Sequence, residues 1–267
     1  MQTIGLNLRA KGREGEPLPP VFHQLESYGA KIRRGQVTLV GAAPGGGKSA
    51  LATTVALFSD YTGFGDRVPT LYFSADSDKM TFGARAMAAV LDISLREAEE
   101  KLLVKDEETL QKLDELTDHI WVNFDPSPTP RDIDEEIDCF AYIYGEYPHL
   151  VVVDNLMDVG LYGSDERLGH DAIIDFCRQL ARRTGAALLV LCHVTGAYTD
   201  GVDVIPRHGL MNKIDKRPRL ILTMHRPAVN VLAVSIVKNS NGPAESDGSL
   251  MVDIGWIPEK CFLSKGV

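Results

Sequence analysis

The chain has 267 residues, of which 44 % are apolar and 24 % charged, with a formal net charge of −9. That length allows one sizeable core, the composition is that of a globular protein, and the acidic balance excludes a protein coated in basic surface for nucleic acid. No uncharged apolar run is long enough to span a bilayer, Met1–Lys11 lacks the apolar stretch of a signal peptide, and Cys139, Cys177, Cys192 and Cys261 sit at spacings that match no metal or redox motif. A cytoplasmic protein with reduced thiols is expected.

In chain order, residues 1–36 are mixed, with Gly- and Pro-rich turns from Gly12 to Pro20, and read as an arm or lead-in. Apolar strands then alternate with helical patterns, which signals an α/β protein with a mostly parallel sheet. Strands are expected at Val37–Ala42, Thr70–Ala75, Ile120–Phe124, Leu150–Asp154 and Ala186–His193. Several are near-continuous apolar runs, as burial on both faces requires. Helices are expected at Ser49–Tyr61, Lys79–Leu91, Leu95–Leu116, Arg131–Tyr144 and Ala172–Arg183. The acid-rich stretch Asp92–Asp118 reads as a solvated helical face. Three more strands, Arg219–Met224, Val231–Asn239 and Leu250–Trp256, follow, and the turn at Asn241-Gly242-Pro243 predicts an antiparallel hairpin from the last two.

Residues 37–49 read VTLVGAAPGGGKS, a short apolar strand running into a Gly-rich turn, Lys-Ser and a helix. This is a phosphate-binding loop in its relaxed form, with Ala42 at the first position. Small residues let Gly45, Gly46, Gly47, Lys48 and Ser49 fold their backbone N–H groups around phosphates, and the helix N-terminus adds its dipole. Lys48 supplies a point charge to the β- and γ-phosphates and Ser49 a hydroxyl to Mg²⁺. Ala42, Pro44 and Ala50 complete the expected nucleotide contacts. The second requirement, a carboxylate at the end of a neighbouring strand to hold the metal, is met by Asp154. Ligands bind at the carboxyl ends of such strands, so Asp154, the loop, Asp76 and His193 should converge on one edge.

Five segments in this order, GQVTLVGAAPGGGKSALAT, LYFSADSDKMTFGAR, IWVNFDPSPTPRDIDEEI, HLVVVDNLMDV and LLVLCHVTG, resemble the RecA-type ATPase domain of DnaB-family replicative helicases, in the phage primase-helicase and Twinkle branch. The later stretch VSIVKNSNGPAESDGSLMVDIGW resembles that family's last hairpin. RecA, RadA and KaiC-like ATPases share the core. The resemblance runs from Phe22 to Trp256 and implies an arm over residues 1–21 and a RecA-like domain over 22–267. It also implies ATP and Mg²⁺ as cofactors, single-stranded or branched DNA as partner, and a homo-oligomer, a hexameric ring or filament, with nucleotide between subunits.

By resemblance, Asp76 stands where the family has a catalytic glutamate, with Asp78 as fallback; Arg85 follows as a nucleotide contact, and His193 takes the position that senses the γ-phosphate. The loop after it, Val194–Asp203, is expected to move with that sensor. Residues 201–226 carry six basic against two acidic side chains, and Arg207, Lys213, Lys216 and Arg217 are the expected DNA contacts. Lys238 matches the family's hairpin lysine, which reaches a neighbouring subunit's phosphate, but Ser240 replaces the arginine expected two residues later. The leading expectation is an ATP-hydrolysing DNA motor. A RecA/RadA-like recombination or branched-DNA repair ATPase, and a weakly hydrolysing adaptor or loader, are the alternatives.

Overall fold

The computed structural model describes residues 14–160, 166–260 and 262–263, and the side chains of Glu166, Arg167, Leu168 and Lys213 lie outside that description. The first thirteen residues of the expected arm and Cys261 also fall outside it. The strands are β1 (Val37–Ala42), β2 (Thr70–Ser74), β3 (Ile120–Asn123), β4 (Leu150–Asp154), β5 (Ala187–His193), β6 (Leu220–Ala228), β7 (Val231–Asn239), β8 (Met251–Ile257) and β9 (Phe262–Leu263). They form one sheet in the order β3-β2-β4-β5-β1-β6-β7-β8-β9. The first six in that order run parallel, and β7, β8 and β9 return antiparallel.

Seven helices accompany it among the described residues: α1 (His23–Glu26), α2 (Lys48–Phe58), α3 (Lys79–Leu91), α4 (Leu95–Leu103), α5 (Glu107–Thr117), α6 (Pro130–Tyr144) and α7 (Glu166–Thr184). Strand side chains alternate between two cores. Val40, Leu189 and Leu191 face one with Leu51 and Val55 of α2, and Leu39, Leu188 and Val190 face the other with Ile137 of α6 and Ile174 of α7. Burial on both faces explains the unbroken apolar runs of β1, β4 and β5. Leu18 and Phe22, in the lead-in, pack into the first core.

The expected helix Leu95–Leu116 is two helices. Lys105 takes a left-handed backbone (φ 51) and breaks the run between α4 and α5. Both halves keep an apolar stripe, and Leu95, Leu102, Leu110 and Leu113 cover a small third core of Ala84, Met87, Ala88 and Ala98. The acid-rich stretch is therefore solvated on its outer side only. The antiparallel pairing of β7 with β8 agrees with the expected hairpin, and β6 with β7 forms a second one through a tight turn at Val229 and Asn230. Strand β6 runs four residues past the expected end, to Ala228, because β7 still pairs with it there.

Two buried histidines are expected to make the fold acid-sensitive. His119 Nε2 meets the Ala56 carbonyl at 3.1 Å, and burial lowers its pKa below the usual 6.5. Burial likewise lowers His225, whose Nδ1 has no hydrogen-bond partner among the described residues. A depressed folded pKa means that the unfolded chain binds more protons. The stabilisation is therefore present above the unfolded pKa and is lost as pH falls towards the folded one. The melting temperature is expected to drop between about pH 7.5 and 5.5, and less so in His119→Gln. A flat profile in the wild type would contradict this.

Candidate nucleotide site

The loop between β1 and α2 opens at the carboxyl edge of the sheet. Gly47 caps α2 in a left-handed conformation (φ 91), where a side chain is strained. A Cβ on Gly46 would lie 2.9 Å from the Ala43 carbonyl. These two positions need glycine for the turn to close, and the Gly46 N–H closes it by donating to the Ala43 carbonyl at 3.0 Å.

The parallel register brings the expected residues together. Ala42 pairs with His193 across β1 and β5, and Ser74 pairs with Asp154 across β2 and β4, so Asp76 emerges beside Asp154. One cavity of ≈ 580 Å³ is lined by Pro44, Gly45, Gly46, Gly47, Lys48, Ser49, Ala50, Asp76, Ser77, Asp78, Thr81, Arg85, His193, Arg226 and Trp256. Ala42 lies beneath the loop, buried at the end of β1.

Lys48 is only 6 % exposed. Its ammonium donates to the carbonyls of Ala42 (3.2 Å) and Ala43 (3.0 Å) and stands 3.4 Å from His193 Nδ1. Burial lowers its pKa, with Asp154 and Asp76 opposing. Asp154, 3 % exposed, accepts from the Tyr72 hydroxyl at 2.9 Å and from the Ser49 hydroxyl. Burial raises its carboxyl, those two hydrogen bonds lower it, and the Asp76 charge raises it further. Ser49 and Asp154 together offer hard oxygen donors at the loop. Mg²⁺ takes one or two protein oxygens and completes its shell with water and phosphates, so this pair fits it.

Asp76 is exposed and makes no hydrogen bond or ion pair among the described residues. Asp78 is not equivalent. It caps α3, accepting from the N–H groups of Met80 (2.8 Å) and Thr81 (2.9 Å), so the fallback base is occupied by a structural task. Arg85 Nη1 reaches Ser77 Oγ at 3.5 Å on the cavity wall.

The remaining expected residues stand apart from this cavity. Lys238 pairs with Ile221 near the start of β6, and its ammonium donates to the carbonyls of Asp215 and Lys216, each at 2.8 Å. Ser240 donates its backbone N–H to the Arg219 carbonyl. Arg207 forms an ion pair with Asp215 at 2.6 Å, and Arg217 with Asp175 at 2.8 Å, while Lys216 is exposed.

Sequence reasoning missed three neighbours of the site, Trp256, Asn155 and Asp158, and counted Arg226 only among the basic residues of 201–226, as a substitute for the missing arginine. Arg226 and Trp256 line the cavity, with the guanidinium 4.4 Å from the ring centroid, the arrangement of a cation–π pair. The signal for Arg226 was present: Leu220, Leu222 and Met224 alternate on the buried face of β6, and a cation follows at the next such position. Asn155 and Asp158, just after β4, stand behind His193. Their polarity inside NLMDV was the only hint.

A model of the AAA domain family matches residues 13–197, more than half of the chain. The gene 65 protein of Mycobacterium phage L5 is 36 % identical over 266 residues, covering 96 % of each chain. That of Mycobacterium phage D29 is 35 % identical over 224 residues, 80 % of this chain and 92 % of its own. Among solved structures, that of an isolated ATPase domain superposes with a TM-score of 0.77 at 15 % identity, covering 99 % of this chain and 96 % of that one. A DnaB-like replicative helicase, solved in a study of its interactions with primase, gives a TM-score of 0.76 at 15 % identity over 97 % of this chain. This chain spans 64 % of the helicase's length. No helix of the described residues is long and apolar enough to cross a membrane. With the loop, its partner carboxylate and the RecA-like sheet all in place, the chain belongs to the AAA domain family, beside the mycobacteriophage gene 65 proteins.

Proposed function

We propose that this chain is an ATP-hydrolysing DNA motor of the DnaB helicase type, acting on single-stranded DNA in replication or recombination. The observation that carries the reading is the convergence of Lys48, Ser49, Asp154, Asp76 and His193 on one sheet edge. Each has a task in phosphoryl transfer to water. The loop N–H groups and Lys48 bind and neutralise the β- and γ-phosphates. Ser49 and Asp154 would hold Mg²⁺, which would add charge neutralisation on the same phosphates. Asp76, exposed to the cavity and unengaged, orients the attacking water and accepts its proton. His193 meets the terminal phosphate. Arg226, held over the buried Trp256 ring, sets a cation on the cavity wall.

Lys238, remote from the cavity of its own chain, supports nucleotide sites shared between copies in a ring or filament. Arg207, Lys213, Lys216 and Arg217 are the proposed DNA contacts, although the ion pairs of Arg207 and Arg217 must open for both to reach phosphate. A second reading rests on Ser240. An arginine finger is worth about 10³–10⁵ in rate. A chain without one at this position fits a slow ATPase that loads or adapts a replication complex.

The discriminating experiment is ATPase rate with and without single-stranded DNA, beside sizing of the protein with a non-hydrolysable nucleotide. The motor reading expects DNA stimulation of at least about tenfold and an assembly larger than a dimer. A monomer with DNA-independent hydrolysis would sink it, and ATP binding with negligible turnover would favour the adaptor.

A further inference from the structure

His193 faces two donors and can satisfy only one of them. A neutral imidazole carries one N–H and one acceptor nitrogen. Its Nδ1 lies 3.4 Å from Lys48 Nζ, and its Nε2 lies 3.4 Å from Asn155 Nδ2. A lysine ammonium can only donate. The Asn155 amide is fixed in the same sense. Its Oδ1 accepts from the Met157 N–H at 2.7 Å, and its Nδ2 donates to Asp158 Oδ2 at 2.7 Å. Turned over, it would set an oxygen against the Asp158 carboxylate and an NH₂ against an N–H, so two bonds become two repulsions. The second Nδ2 hydrogen therefore points at His193.

The imidazole is held neutral here. Burial lowers its pKa, the Lys48 charge lowers it further, and Asp76 and Asp158 oppose only in part. With Lys48 drawn in against the Ala42 and Ala43 carbonyls, Nδ1 accepts from the ammonium and the ring proton sits on Nε2, facing the Asn155 donor without a bond. A triphosphate that draws Lys48 outward frees Nδ1. The Asn155 hydrogen then takes the Nε2 lone pair, and the ring proton belongs on Nδ1, the nitrogen on the Lys48 side.

We propose that Asp158, acting through Asn155, is a positioning residue that fixes His193 in the Nδ1–H tautomer once nucleotide is bound, so that Nδ1–H donates to the terminal phosphate. The inference rests on the nucleotide reading above. It assigns work to two side chains of the β4 turn which that reading leaves unused, and it makes the state of His193 depend on whether Lys48 is engaged. The proton changes ring nitrogen through water, and no charge is gained or lost.

The test is ¹⁵N–¹H correlation spectroscopy of histidine side chains, with the His193 signals identified by their loss in His193→Gln. Spectra are compared without ligand and with Mg²⁺ and a non-hydrolysable ATP analogue, while Trp256 fluorescence independently reports binding. The wild type is expected to show Nε2–H without ligand and Nδ1–H with it. Asp158→Ala is expected to lose the Nδ1–H form and about tenfold in kcat, with KM within about twofold. Asp158→Asn keeps an acceptor for Asn155 and is expected to restore both the tautomer and most of the rate. Analogue binding with an Nε2–H ring in the wild type overturns the proposal and leaves the nucleotide reading standing. So does an Nδ1–H ring that persists in a folded Asp158→Ala. No fluorescence change and no binding overturn both.

Discussion

Lys48→Ala is expected to abolish measurable ATP hydrolysis, with at least a roughly thousandfold loss in kcat/KM, and to leave the fold intact. The expectation follows from where the ammonium stands. It is buried, its direct partners are two backbone carbonyls and an imidazole, and the charges of Asp154 and Asp76 only partly offset its burial. Such a cation contributes little to the empty protein, because desolvation offsets what the dipoles return. Its return comes with the triphosphate, whose charge it meets in a site of low dielectric. The melting temperature of the ligand-free variant should therefore equal or exceed that of the wild type. The shift produced by Mg²⁺ and ATP, worth about 2.7 kcal/mol at a hundredfold excess over Kd, should vanish. Trp256 offers a direct readout, since it lines the cavity and the chain has only two tryptophans. In a Trp121→Phe background, nucleotide should change its fluorescence in the parent and not in Lys48→Ala. A variant that still hydrolyses ATP at a tenth of the parent rate would remove the loop from the chemistry.

Asp76→Asn separates chemistry from binding. Asp76 makes no bond within the described protein, so removing its charge should cost no stability. A general base contributes about 10²–10⁴ in rate, and kcat should fall by that factor while nucleotide affinity stays within about twofold. Asp78→Asn is the matched control, because asparagine caps a helix as well as aspartate, and turnover should persist. An active Asp76→Asn with an inactive Asp78→Asn would reverse the two roles. Equal turnover in both would point to a base elsewhere.

The sheet and the site differ in how openly the sequence displays them. β1, β4 and β5 are doubly buried, so their apolar runs stand out in the chain, and the glycines of the loop between β1 and α2 are required by local backbone geometry. Once those strands are parallel, the convergence of Asp154, His193 and Asp76 follows from register alone. The far wall of the cavity does not follow. Arg226 comes from β6, parallel to β1, but Trp256 reaches it from β8 through two antiparallel pairings, with a register shift between Ile221 and Leu222 that no local pattern encodes. The break at Lys105 was hidden for another reason. α4 and α5 bury leucines on the same small core, so the apolar spacing reads as continuous while the backbone is not. The Asn155–Asp158 contact spans three residues of an irregular turn, where side-chain hydrogen bonds rather than hydrophobic period decide the conformation.

The inward seat of Lys48 also makes the loop a gauge of how charged a nucleotide is. Two carbonyls already accept from the ammonium with the His193 ring beside it, and a newcomer must displace them with oxygens of its own. On the proposed function, affinity is therefore expected to rise with the number of phosphates, with the triphosphate binding tightest.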